Sequence, residues 1–446
     1  MFGKKNISRI LPVLAILFAS FFLGSCSRKA GETSDFNIVL IVIDTLRSDH
    51  LPFYGYEKNT APFLWDLSKK SVVFENAFSA SSWTSPATAS IFTSLYPYQH
   101  GVLMGLLAIR NAQKIDPDIK VHRIPEEITT IAELLKEQGY RTYGVSDNLN
   151  IGERQGFTQG FDRFRTFMYK QAPNLNQVVK GWKTKLTAKG KYFLYLHYME
   201  PHAPYHPRKP WYKPYEDKRK NRISAYDSEI NFVDLHIKKL FELFKWEKNT
   251  LVIVTADHGE GLWDHGLMAH GKTLHREEIQ VPLMIYLPGK KIAKRVTANV
   301  GTIDILPTVR DLVGLPADKN AEGISLAPLL AQRENKDREK RFNELAKRNL
   351  FSYLWVKTKD ELEWKSAIYK KWHFIIKMPA LKHLYSLLLD KKEQENRIAE
   401  AHSAARELEQ RFEHFMKTCK KYKQKSAVYK LDKKKTDKLK SLGYVD

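Results

Sequence analysis

The run Asn37-Ile-Val-Leu-Ile-Val-Ile43 is continuously apolar and mostly β-branched, and it stops at a carboxylate, Asp44. A strand with one wet face alternates apolar and polar residues, so a strand without alternation is one buried on both faces, as inside a parallel sheet. Asp44 therefore marks a strand's carboxyl end. Lys191-Tyr-Phe-Leu-Tyr-Leu-His197 and Thr250-Leu-Val-Ile-Val-Thr255 repeat the pattern, with helical periodicity between them at Thr129 to Gln138 and Ile223 to Phe244. Strands alternating with helices predict an α/β fold, a mainly parallel central sheet flanked by helices. In such sheets the ligand crevice lies outside the carboxyl ends of the strands. Asp44, the strand end near His202, and the pair Asp257-His258 all fall there, although they are far apart in sequence.

The texture divides the chain into a large α/β domain over residues 35–330, a charge-dense linker or surface helix over 331–348, and a small α+β domain over 349–416. The last is read from short strand-like runs, Leu350 to Val356, Trp364 to Tyr369 and Trp372 to Lys377, followed by a helical pattern from Glu393 to Phe415. A basic tail occupies 417–446.

Lys4, Lys5 and Arg9 precede the apolar stretch Ile10 to Gly24 and then Leu23-Gly-Ser-Cys26, the pattern of a bacterial lipoprotein signal peptide over residues 1–25. A membrane-spanning helix needs roughly 20 apolar residues, and this stretch is shorter and contains Pro12. The expectation is an acylated Cys26 and a cell-envelope protein facing the periplasm or the surface. Cys419 is then left without an intramolecular disulfide partner, and the fold must stand on its core. Lys and Arg number 73 against 50 Asp and Glu, a formal charge of +23, and the excess gathers near the C-terminus. Such a face suits anionic lipid headgroups or polyanionic glycans; a merely solvated lysine-rich surface is equally compatible. No aromatic-basic module for nucleic acid is visible.

Beyond these runs, Ile43-Asp44-Thr45-Leu46-Arg47-Ser48-Asp49-His50 with Tyr54-Gly55-Tyr56, then Ser81-Ser82-Trp83-Thr84-Ser85-Pro86-Ala87-Thr88 to Ser94 and His100-Gly101, form an ordered series. It continues through Gly139-Tyr140-Arg141-Thr142, Glu200-Pro201-His202-Ala203-Pro204-Tyr205, Thr255-Ala256-Asp257-His258-Gly259-Glu260, Val281-Pro282-Leu283, Asp304-Ile305-Leu306-Pro307-Thr308 and His383-Leu384-Tyr385. In this order the motifs resemble the sulfatase family of the alkaline phosphatase superfamily. The resemblance implies a divalent metal held by Asp44, Asp257 and His258, with Thr84 as both metal-contacting group and nucleophile. It further implies His202 as a catalytic group able to protonate the leaving oxygen, Lys272 as an anion-binding catalytic cation and His270 as a substrate-binding residue; Asn148 reads as a substrate-binding hydrogen-bond donor in place of the family cations this chain lacks. His100 and His265 read as structural. Trp83, Tyr54 and Tyr205 read as pocket walls or as core aromatics.

Departures from the family pattern matter as much. Sulfate-cleaving members usually carry Cys or Ser, oxidised to formylglycine, where this chain has Thr84, and Arg where it has Thr88. The second adjacent Asp is Thr45 here, and the Asn ligand is His258, whose imidazole favours zinc or manganese over calcium or magnesium. Val145-Ser146-Asp147-Asn148 stands where sulfatases place a sulfate-gripping Lys and His. Threonine occupies the nucleophile slot in relatives that cleave or transfer phosphoesters. Three readings follow. One is a hydrolase or transferase of anionic phosphate or sulfate esters, on a glycan or a lipid headgroup, through Thr84. A second is a true sulfatase using an unmodified hydroxyl. The third is a silent metal-containing binding lipoprotein in which Thr84 only caps a helix.

Overall fold

Eight strands build the main sheet: β1 (Asn37–Ile43), β2 (Val72–Phe78), β3 (Arg141–Ser146), β4 (Arg163–Thr166), β5 (Tyr192–Tyr198), β6 (Thr250–Thr255), β7 (Gln280–Tyr286) and β8 (Lys294–Gly301). Their spatial order is β8-β2-β7-β6-β1-β5-β3-β4, and only β7 runs against the rest. This computed structural model describes residues 35–427 apart from 107, 291, 332–334, 360, 361 and 379. The leader with Cys26 and the tail beyond 427 lie outside the described residues.

The three central strands explain the sequence pattern. Every residue of β5 and β6, and all of β1 after Asn37, is buried, so no position is free to be polar until the strand ends. Val42 pairs in register with both His197 and Thr255. The carboxyl ends of β5, β1 and β6 are thus level, and whatever follows them meets at one edge. At the sheet's margin β4 reads Arg-Phe-Arg-Thr with exposed arginines, the charged edge that discourages strand addition.

The C-terminal unit is a four-stranded antiparallel meander: β9 (Leu350–Val356), β10 (Leu362–Tyr369), β11 (Trp372–Lys377) and β12 (Leu381–Ser386). The helix His402–Thr418 buries Ala405, Leu408 and Phe412 against Phe351, Phe374 and Leu384. The pattern had placed this helix from Glu393. It begins later because Glu393 is fully buried in ion pairs with His275 and His373. The charged segment before β9 is a surface helix, Lys336–Lys347, capped by the Asn335 side chain and burying only Leu345.

Strand β9 also reaches the main domain. Tyr353 N donates to the Ala80 carbonyl, Ser81 Oγ to the Tyr353 carbonyl, and Ser352 Oγ to the Ser79 carbonyl. The loop that leads to Thr84 is therefore clamped by the C-terminal sheet. Among the described residues, no helix is long and apolar enough to cross a membrane.

Candidate active site

Thr84 opens a helix, Thr84–Thr93, whose residues are all buried. Small side chains (Thr, Ser, Pro, Ala, Thr, Ala, Ser) let it lie close to its neighbours, and Pro86 sits in the first turn, where a missing N–H costs no intrahelical bond. The cap is Trp83, in extended conformation, with no side-chain capping bond. Thr84 is thus not the helix cap. Its Oγ1 instead accepts from Asn148 Nδ2 at 3.3 Å and lies 3.4 Å from His258 Nε2. The helix N-terminus directs its unpaired N–H groups and positive dipole end toward the same place.

Asp44 and Asp257 come from the ends of β1 and β6 and are fully buried, as is His258. His258 Nε2 is 3.5 Å from Asp44 Oδ1 and 3.6 Å from Asp257 Oδ2. Those two carboxylate oxygens have no hydrogen-bond partner. Burial pushes the Asp257 carboxyl well up, and the neighbouring Asp44 charge pushes it further. Burial also opposes the Asp44 charge, but the hydrogen bond from His197 and the nearby imidazoles hold it well below the usual range. Two buried carboxylates with orphaned oxygens converging on an imidazole nitrogen form a site short of positive charge. The three ligand atoms lie within 4.8 Å of one another, and the mixed oxygen and nitrogen set fits a divalent cation. His258 Nδ1–H donates to the Gly259 carbonyl at 2.8 Å, which leaves the Nε2 lone pair facing the carboxylates, the tautomer a ligand requires.

Supporting contacts fix these groups. Thr45 takes a left-handed backbone at φ 58°, a conformation that costs a β-branched residue about 1–3 kcal/mol and clusters at functional sites. Arg47 ties the loop after Asp44 to the loop after Asp257, donating to the Asp264 carboxylate at 2.6 Å and the Glu260 carbonyl at 3.0 Å. Asn148 Nδ2 donates to Asp44 Oδ2 at 2.7 Å as well as to Thr84, and its Oδ1 accepts from Asn150 N.

His202 and His270 join the group. The His270 ring lies 4.4 Å from His258 and 4.9 Å from His202, centroid to centroid. Burial works against a charge on His270, yet Glu260 at 3.0 Å more than offsets it and raises the ring. Burial, with the His270 cation adding to it, lowers His202. Lys272 does not join them: its side chain is exposed and its ammonium donates to the Met268 carbonyl at 2.6 Å. Of the three aromatics, Trp83 lines the cavity in front of Thr84. The Tyr54 hydroxyl is spent on the Phe74 and Leu283 backbone, and that of Tyr205 on Glu260. His100, buried and hydrogen-bonded to Ser90, is pushed down to about 3 by burial.

Two groups at the site had drawn no attention as site residues in the sequence. His197, at the end of β5, accepts from the Tyr195 hydroxyl on Nδ1 and donates from Nε2 to Asp44 Oδ2 at 3.2 Å. Its signal was present, since it is ionisable and ends an unbroken apolar run like Asp44. Glu260 ends the segment Thr255-Ala256-Asp257-His258-Gly259-Glu260, and only the fold brings it behind His270 and Tyr205.

Comparisons with known proteins agree with this architecture. The family model described as Sulfatase matches residues 36–315, and that of the N-sulphoglucosamine sulphohydrolase C-terminal region matches 263–421. An ulvan-active sulfatase of Formosa agariphila is 27% identical over 384 residues, covering 73% of this chain and 72% of the relative. A Delta 4,5-hexuronate-2-O-sulfatase of Bacteroides thetaiotaomicron is 22% identical, covering 70% and 76%. The phosphonate monoester hydrolase of Agrobacterium radiobacter superposes with a TM-score of 0.68 at 16% identity, covering 90% of this chain and 98% of its own. With a family match across more than half its length and the family's fold around the carboxylate pair, this chain belongs to the sulfatase family of ester hydrolases, within the alkaline phosphatase superfamily.

Proposed function

We propose that this chain cleaves an anionic sulfate or phosphate ester, by hydrolysis or by transfer to an acceptor alcohol, with Thr84 Oγ1 as nucleophile beside a divalent cation held by Asp44, Asp257 and His258. The observation that carries the reading is the placement of the Thr84 hydroxyl. It caps nothing and instead faces His258 Nε2 and Asn148 Nδ2 next to two unpartnered carboxylate oxygens. A bound cation would offset the carboxylate charges and lower the pKa of a neighbouring hydroxyl; the imidazole favours zinc or manganese.

The chain's own residues then have distinct tasks. Asn148 holds Oγ1 toward Asp44 by donating to both. Thr84 passes its proton to His202 or His270 and bonds to the sulfur or phosphorus; the ester P–O or S–O bond breaks, and the departing alcohol oxygen takes a proton. His202 and His270, both lining the cavity, are the groups within the site able to deliver it. Water or an acceptor alcohol next displaces Thr84, so one hard displacement becomes two. Oxidation of threonine, a secondary alcohol, gives a ketone, so the unmodified hydroxyl is the nucleophile in this reading. Lys357 is the one lysine or arginine among the described residues that line the cavity. That scarcity suits a monoanionic centre, a sulfate monoester or phosphodiester, better than a phosphate dianion. The leader and Cys26 place the enzyme at the cell envelope in this proposal.

The test is turnover of p-nitrophenyl sulfate, phosphate, phosphonate and phosphodiester by metal-loaded and metal-stripped protein. We expect metal-dependent turnover that Thr84→Ala abolishes; activity that survives Thr84→Ala removes the nucleophile assignment.

A further inference from the structure

The cavity in front of Thr84 has a volume of about 310 Å³, within the range of small-ligand pockets. Thr84, Asn148, His202 and His270 contribute its reactive groups; its walls are Trp83, Leu103, Met104, Leu354, Trp355 and Val356. Distant parts of the chain build those walls. Trp83 and Val356 pack on the cluster around Leu350, Leu354 and Trp364, whereas Trp355 packs on the cluster of Met104, Leu106 and Ala112. Neither indole is a loose cover. A Cβ on Gly271, which holds φ 69°, would stand 3.4 Å from the Trp83 side chain, and Trp355 lies against the His122 ring at 6.4 Å and 25°.

Charge is scarce on these walls. Lys357 is the one fixed cation among the described lining residues, and its Nζ already faces Asp116 at 3.8 Å. A carboxylate or second sulfate on the alcohol half of the ester would give up water for apolar side chains, which is costly. A flat apolar face loses little on entering and gains contact with indole rings.

We propose that the alcohol half of the ester is uncharged and presents an apolar face one or two rings across, seated between Trp83 and the Leu354–Val356 end of β9. The proposal rests on Thr84 as the reacting hydroxyl, because that choice identifies this cavity as the leaving-group side. It makes the C-terminal sheet part of the specificity pocket. It also separates this chain from the relative whose name carries an anionic sugar, a hexuronate.

Calorimetric binding to the full chain, with 2-naphthol and glucuronic acid as apolar and anionic alcohol halves, tests this without requiring turnover. We expect 2-naphthol to bind at least tenfold more tightly, Trp355→Ala to weaken it at least tenfold, and Trp355→Phe to restore most of the loss, a rescue that a merely structural role would not give. Should Trp355→Ala fail to fold, Val356→Asp replaces it, with the same tenfold loss expected. Glucuronic acid binding as tightly as 2-naphthol, or 2-naphthol affinity unmoved by these wall variants, overturns the proposal. Thr84→Ala keeps the two readings apart: it should retain 2-naphthol binding, while turnover that survives it defeats the nucleophile assignment alone.

Discussion

Asn148→Ala isolates the geometry on which the proposed chemistry depends. The Asn148 amide nitrogen donates to Asp44 Oδ2 at 2.7 Å and to Thr84 Oγ1 at 3.3 Å, so one side chain sets the distance between carboxylate and nucleophile. A hydrogen bond to a charged group contributes about 1.5–3 kcal/mol and one to a neutral hydroxyl about 0.5–1.5 kcal/mol. Discounting the second for its length leaves about 2–3 kcal/mol of positioning, which at 1.36 kcal/mol per decade is about 30- to 150-fold in kcat. The KM should stay within about threefold, because a group that aligns the nucleophile acts on the step and not on the encounter. Steady-state kinetics on the best p-nitrophenyl ester read both constants at saturating cation, where metal content read alongside should remain unchanged, since all three proposed ligands persist and only an outer partner of Asp44 is lost. Asn148→Asp keeps the acceptor for Asn150 N but sets a carboxylate against Asp44; its loss should be at least as large. A kcat within threefold of the parent would refute the positioning argument, and a raised KM at constant kcat would make Asn148 a substrate contact instead.

Replacing Thr84 should separate hydroxyl chemistry from fold: Thr84→Ala loses at least about 10³-fold in kcat, whereas Thr84→Ser, which keeps the oxygen, retains measurable turnover in the same assay. His258→Ala should weaken the divalent cation by more than the roughly 10- to 100-fold that loss of an outer partner costs, read by equilibrium dialysis against zinc; unchanged affinity would remove His258 from the ligand set. At the junction with the C-terminal sheet, burial opposes a charge on His265, but Glu277 at 2.6 Å raises it from 6.5 to about 9. A raised pKa stabilises fully below about 6.5 and the contribution is lost as pH rises through about 9. Since His265 is only partly buried, the contribution is about 1 kcal/mol after screening, and the drop in Tm between pH 7 and 9.5 should be smaller in His265→Gln than in the parent.

The parts of the fold that the sequence revealed are those decided by burial alone. Strand β1 was bounded to the residue because no position from Ile38 to Ile43 meets water, and Asp44 was conspicuous because it breaks that run. Residues whose roles depend on a distant partner were harder to assign. Thr84 meets Asn148 and His258 across 64 and 174 positions, so the motif resemblance could suggest the encounter while only the fold shows that the hydroxyl caps nothing. Lys272 shows the reverse: the resemblance implied an anion-binding cation, whereas in the fold its exposed ammonium donates to the Met268 carbonyl. Glu393 likewise reads as the start of a helical pattern, yet residues 391–401 form no helix and Glu393 is held by His275 and His373, 118 and 20 positions away. His197 was hidden for a different reason, since a histidine inside an apolar strand is read as part of the strand. The walls of the cavity were the least legible of all, because Trp355 joins the cavity in front of Thr84 only once β9 is bonded to Ser79, Ala80 and Ser81. In the proposed reading the reactive centre is therefore set by strand ends that local sequence specifies, and its selectivity by a clamp between elements about 270 residues apart. Substitutions in β9 should consequently change which alcohol is accepted while leaving the carboxylate pair, His258 and the Thr84 contact in place.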